Sequence, residues 1–95
     1  MTNGVGISRA LMIMHPQDNV AVCLWPLEPG EEIQVTYNEK ILWVKIVESV
    51  PLGHKVSLSL ISSGKAITKY GEIIGRATKD ILIGQHVHDH NISDY

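Results

Sequence analysis

Three histidines at alternate positions, His86, His88 and His90, sit in the closing stretch "GQHVHDHNISDY" of a 95-residue chain. On an extended strand all three side chains point to one face, with about 6.6–7 Å between successive members. Imidazoles so placed can converge on one ion or one substrate if the strand twists, or can simply furnish a solvated polar face. Both readings stand at this point. A fourth histidine, His54, follows the turn glycine Gly53 and precedes Lys55. Loop positions held by a rigid framework are where functional side chains concentrate. The ordinary pKa of histidine, near 6.5, suits His54 to proton transfer at neutral pH or to ligation. Equally, it can serve as a hydrogen-bond donor within its own turn.

The elements that must position these residues read as short strands. "ALMIMH" (10–15) and "NVAVCLW" (19–25) are apolar on both faces and belong deep in the fold, with the turn 16–18 between them. "EIQVTY" (32–37) alternates, with Ile33, Val35 and Tyr37 on one side. A three-residue loop, 38–40, leads into "ILWVKIV" (41–47), where Leu42, Val44 and Ile46 share a face. "KVSLSLI" (55–61) predicts Val56, Leu58 and Leu60 inward and Ser57 and Ser59 outward. "LISSG" allows at most one short helical turn.

A spacing of apolar-x-x-Gly-x-x-apolar occurs four times: Leu27–Gly30–Ile33, Val50–Gly53–Val56, Ile61–Gly64–Ile67 and Ile81–Gly84–Val87. Each predicts a turn. The first apolar residue pins one segment, glycine takes a positive φ, and the last apolar residue opens the next strand. Pro29 and Pro51 suit such turns. The glycines are not a phosphate cradle, since no helix follows them. Asp18 and Asp80 are expected to cap turns, and His15 to be structural.

Composition bounds the rest. Ninety-five residues make one domain with a thin core. Apolar residues are 44%, charged residues 19%, and the net charge is -2. No basic cluster marks a nucleic-acid or membrane-surface partner, and no apolar run reaches the ~20 residues of a membrane span. The single Cys23 reads as a buried, inert thiol in a reducing, cytoplasmic setting. Trp25 and Trp43 read as core or partner interface. The expected organisation is a tail over 1–9, one domain over 10–92, and a tail over 93–95.

Five short motifs in order resemble the SAF domain of the altronate and galactarate dehydratase family: "HPQDNVA", Pro51–Lys55, Lys69–Gly71, Ile74–Gly75 and His86–Asn91. The resemblance implies an all-β fold, the β-clip, a small knot of short strands and tight turns. It also implies a free-standing small subunit that completes the active site of a larger catalytic subunit. Together they would form a hydro-lyase that eliminates water β to the carboxylate of a hydroxy acid. A divalent metal, iron or manganese, would be held once the partner is present, by His88 and His90, with His86 less firmly placed. His54 and Lys55 would be catalytic. Lys69 and Asn91 would bind substrate, and both lysines suit substrate contact better than base catalysis, because an unburied lysine stays charged. A homo-oligomer in isolation is compatible with this. The alternatives are the small subunit of a sulfolactate sulfo-lyase, and a non-catalytic SAF ligand-binding or interaction module.

Overall fold

The computed structural model describes residues 6–7, 10–37 and 39–94. Among them there are ten strands and no helix, so the all-β expectation holds. In chain order they are β1 (Gly6–Ile7), β2 (Leu11–Ile13), β3 (Val20–Cys23), β4 (Glu32–Tyr37), β5 (Lys40–Lys45), β6 (Lys55–Ser57), β7 (Ala66–Lys69), β8 (Glu72–Ala77), β9 (His86–Val87) and β10 (Ile92–Ser93). Seven strands form one sheet in the order β5-β4-β1-β2-β3-β6-β9, and three form a second in the order β10-β8-β7. Every pairing is antiparallel.

The four glycine units build the frame. In each, a carbonyl two residues before the glycine accepts the N–H of the residue after it: Glu31 to Glu28, His54 to Pro51, Lys65 to Ser62 and Gln85 to Leu82. The glycines stand at φ 95, 85, 86 and 83°. That is the third position of a type II turn, where a side chain is resisted. The units also grip distant strands in one repeated way. Gly84 N–H donates to Ser57 O while Ser57 N–H donates to Gln85 O. Gly30 with Ile46, Gly53 with Cys23 and Gly64 with Ala77 repeat the exchange. The leading apolar residues then pair two by two, as Leu27↔Val50 and Ile61↔Ile81. All four are buried, and they split between two cores, Leu27 and Val50 in one, Ile61 and Ile81 in the other. Each fully buried Leu, Ile or Val contributes about 1.5–3 kcal/mol.

Asp18 and Asn19 tie the two sheets together. Asn19 Nδ2 donates to Ala66 O and its Oδ1 accepts from Thr68 N–H, so the side chain acts as a strand partner for β7. Asp18 accepts the N–H groups of Tyr70 and Gly71. Those two residues form the β7–β8 connection, both at positive φ, 56 and 75°. A two-residue hairpin turn of that handedness is costly at a tyrosine, and the Asp18 carboxylate offsets the strain. Asp80 caps as expected, accepting from Ser63 N–H.

The alternation predicted for β4 and β5 holds: Val35, Val44 and Ile46 are buried while Gln34 and Trp43 face out. Two strand expectations need correction. Lys40 pairs with Tyr37, so the hairpin loop is one residue shorter than three. Strand β6 ends at Ser57, which is buried, while Leu60 is 62% exposed. The Gly84 turn captures both the N–H and the carbonyl of Ser57, and the chain bends away, ending the alternation. "LISSG" forms a turn and an isolated bridge, within the limit of at most one short helical turn. Strand β1 lies between β2 and β4, and Ser93 pairs with Arg76. Trp25 and Trp43 are 67% and 57% exposed, so neither is core. Cys23 is fully buried, and burial raises its thiol pKa. No helix of the described residues is long and apolar enough to cross a membrane.

Candidate metal and substrate site

Strands β6 and β9 lie side by side in antiparallel register, Lys55 against Val87 and Val56 against His86. That register brings the Gly53 turn to the histidine stretch. His54 Nδ1 stands 2.9 Å from His86 Nε2. The His54 and His88 rings stack at 3.9 Å between centroids, tilted by 13°. His86 and His88 are 5.6 Å apart, also stacked. One ring nitrogen from each of the three falls within 4.8 Å of the others. His90 lies 5.0 Å from His86 at 42° and is exposed.

The cluster therefore joins His54, His86 and His88, with His90 on its rim, where the sequence pattern favoured His88 and His90. The pleat does not continue far enough. Strand β9 ends at Val87, and residues 88–91 form a turn closed by Asn91 N–H donating to His88 O at 3.0 Å. The turn carries His90 out of the alternation. His54, expected to act as a base or ligand from its own loop, is inside the group.

Asn91 has no free amide. Its side chain is fully buried. Nδ2 donates to His86 O at 2.8 Å and Oδ1 accepts from His88 N–H at 2.9 Å. Its side chain thus holds the histidine segment rather than facing outward to a substrate. Glu48, to which no sequence pattern pointed, accepts the N–H of His86 through Oε2 at 3.1 Å.

The electrostatics favour neutral imidazoles. Burial first, then the charges of His88 and Lys55, push His54 below its usual value, against a smaller opposite pull from Asp89. Burial and the neighbouring histidines do the same to His86, with Glu48 opposing. A neutral ring keeps a lone pair for a cation or a proton. His88 Nδ1 is a buried nitrogen with no hydrogen-bond partner among the described residues. Orphaned buried polar atoms are rare and point to something that binds them. Two nitrogens bound at right angles to one ion stand roughly 3 Å apart, close to the His54–His86 separation. An all-imidazole set suits iron, zinc or copper better than magnesium or calcium. The residues fit a divalent transition metal.

Lys55 adjoins the cluster, its charge acting on His54. Burial, and then the charge of Lys69, lower the Lys55 pKa. Lys69 Nζ lies 5.0 Å over the Tyr70 ring, on the turn that Asp18 caps. Two clefts, of about 350 and 390 Å³, lie elsewhere, one lined by Tyr37, Lys40 and Leu58, the other by Trp25, Leu27 and Ile33.

Residues 9–95 match the altronate/galactarate dehydratase SAF domain. The chain belongs to that family. Among curated relatives, altronate dehydratase of Bacillus subtilis is 36% identical over 83 residues, covering 87% of this chain and 16% of the relative. Altronate dehydratase of Escherichia coli is 42% identical over 78 residues, covering 82% and 15%. The (2R)-sulfolactate sulfo-lyase subunit alpha of Chromohalobacter salexigens is 27% identical over 84 residues, covering 84% of this chain and 89% of that one. The SAF chain thus spans about a sixth of the altronate dehydratases it matches. The structure gives the motifs that carry the resemblance their places: Asp18 and Asn19 join the sheets, Gly75 lies so close to Ser93 O that a Cβ would collide with it, and the two histidine segments meet.

Proposed function

We propose that this SAF domain is the small, histidine-bearing part of a lyase of the altronate dehydratase type, which removes water β to the carboxylate of a hydroxy acid. The observation that carries the reading is the meeting of His54 with His86 and His88 from a separate segment, 2.9 Å apart at the closest pair. In this reading His54, His86 and His88 would hold a divalent iron ion, the one of the expected iron and manganese that imidazoles suit. Such an ion supplies Lewis acidity toward the carboxylate and a neighbouring hydroxyl.

The chain's own groups do the rest of the positioning. Lys55 and Lys69 offer paired cations to the substrate carboxylate, as charge-assisted donors. The lowered pKa of Lys55 also allows it a part in proton transfer. Lys55 lies beside the neutral rings, so an anion can be held there without a histidine being charged. The cluster is half-buried rather than enclosed. A larger catalytic polypeptide would supply the remaining wall and exclude water. A cytoplasmic setting belongs to the same proposal.

One observation favours a second reading. The sulfo-lyase alpha subunit of C. salexigens is of similar length to this chain, which spans 89% of it. A separate small subunit acting on a sulfonated hydroxy acid fits that likeness. The test is reconstitution with a co-expressed large chain, followed by assay with altronate and with sulfolactate in the presence of iron or manganese. Dehydration of altronate supports the first reading and sulfite release the second. A chain that purifies without any large partner and adds nothing to elimination by the large chain overturns both.

A further inference from the structure

We propose that Asn91 is the positioning residue of the histidine cluster: its carboxamide clamps the backbones of His86 and His88 and so fixes where their rings stand. This deepens the reading above and rests on it only for the identity of the bound cation.

Asn91 is fully buried, yet every polar group of the residue has a partner on the chain. Oδ1 accepts the N–H of His88, and Nδ2 donates to the carbonyl of His86. Its own N–H donates to His88 O, and its carbonyl accepts from Thr78 N–H at the end of β8. One side chain therefore spans the two backbones that carry two of the three clustered rings. The backbone carbonyl of Asn91 links the same segment to the second sheet. Strand β9 has only two residues, so its ladder alone cannot define the direction of the His88 ring, which lies beyond it. Aspartate at this position would keep the acceptor for His88 N–H and replace the donor to His86 O with an oxygen, which repels that carbonyl. Serine would be too short to span both.

The experiment compares the full chain with Asn91→Asp and Asn91→Ser by two readouts, ring-proton cross-peaks in NMR and Co²⁺ titration. The thermal transition confirms that each variant is folded. The wild type should give cross-peaks between the His54 and His88 rings. The variants should lose them, with Co²⁺ affinity reduced about tenfold or more, as for loss of a group that orients metal ligands. Folded variants that retain both the cross-peaks and the affinity would overturn the clamp. If the wild type binds no Co²⁺, the metal reading fails while the clamp is still decided by the cross-peaks. If neither variant folds, exchange of the His88 N–H and the Asn91 side-chain N–H in the wild type decides. Strong protection supports the clamp, and fast exchange at both sites overturns it.

Discussion

His54 Nδ1 and His86 Nε2 face each other across 2.9 Å, although 32 residues separate them in the chain. With both rings neutral, one nitrogen donates a proton and the other accepts it. With both rings protonated, the two nitrogens would present like-charged donors to each other. The pair is thus matched to the neutral state or to a bound cation.

The pH dependence of stability follows from that match. Burial is the leading cause of the depressed pKa of both His54 and His86, from an ordinary value of 6.5. Above that value both folded and unfolded chains carry neutral rings, and the shift has no effect. Below it the unfolded chain takes up protons that the folded chain resists, so stability is lost as pH falls from 6.5 through the folded pKa values. The thermal midpoint of the metal-free chain should drop on acidification across that window. The His86→Gln variant should have a shallower slope. An equal slope in both would remove His86 from the account.

Single histidine substitutions should separate the cluster from its rim. His54→Ala and His88→Ala should weaken Co²⁺ or Zn²⁺ binding by at least the 10–100-fold that loss of an outer-shell partner costs. His90→Ala should change it by less than about threefold, since its ring is exposed and outside the set of nitrogens within 4.8 Å of one another. Calorimetric titration of the three variants measures this. A larger loss at His90 than at His54 would restore the strand-based pairing of His88 with His90.

The lysines should be read by kinetics in the reconstituted enzyme. Loss of a charge-assisted contact worth about 1.5–3 kcal/mol predicts a 10–100-fold rise in KM for Lys69→Met. Lys55→Met should show the same rise if it only holds the carboxylate. A fall in kcat at unchanged KM would assign Lys55 to proton transfer.

Two turn glycines make a contrast in stability. At Gly53, φ is 85° and a Cβ would meet open space, so Gly53→Ala should cost about 1 kcal/mol of backbone strain. At Gly84, a Cβ would run into Lys45 O and the adjacent backbone, so Gly84→Ala should cost about 3 kcal/mol or more. Urea denaturation of both variants, compared at matched slope, measures the difference. Equal losses would mean that the Gly84 turn can move away from β5.

The sequence made some of this legible. The alternation of β4 and β5 was readable because each strand has six residues, enough for a period of two to declare itself. The four glycine turns were readable because their chemistry is local. The alternation read through 55–61 outlasts strand β6, which has three residues, and Ser57 is buried by a turn that arrives from residue 84. The β7–β8 hairpin was hidden because its turn begins with Tyr70, an unlikely residue at positive φ, and depends on a carboxylate 52 residues away. The histidine cluster was half legible. Three imidazoles in alternation announced a site, but whether His54 or His90 completes it depends on where β9 stops. That point is fixed by the buried Asn91, whose task no linear pattern reveals.

Strand β9 is the last strand of its sheet and has two residues, paired on one side only. Opening there should cost less than global unfolding, so the amide of Val87 should exchange with solvent sooner than those of Val35 and Val44. A polypeptide that laid a strand or loop along this edge would quench the fraying. The catalytic geometry would then be ripened by assembly itself, at the moment the second surface closes over the seam.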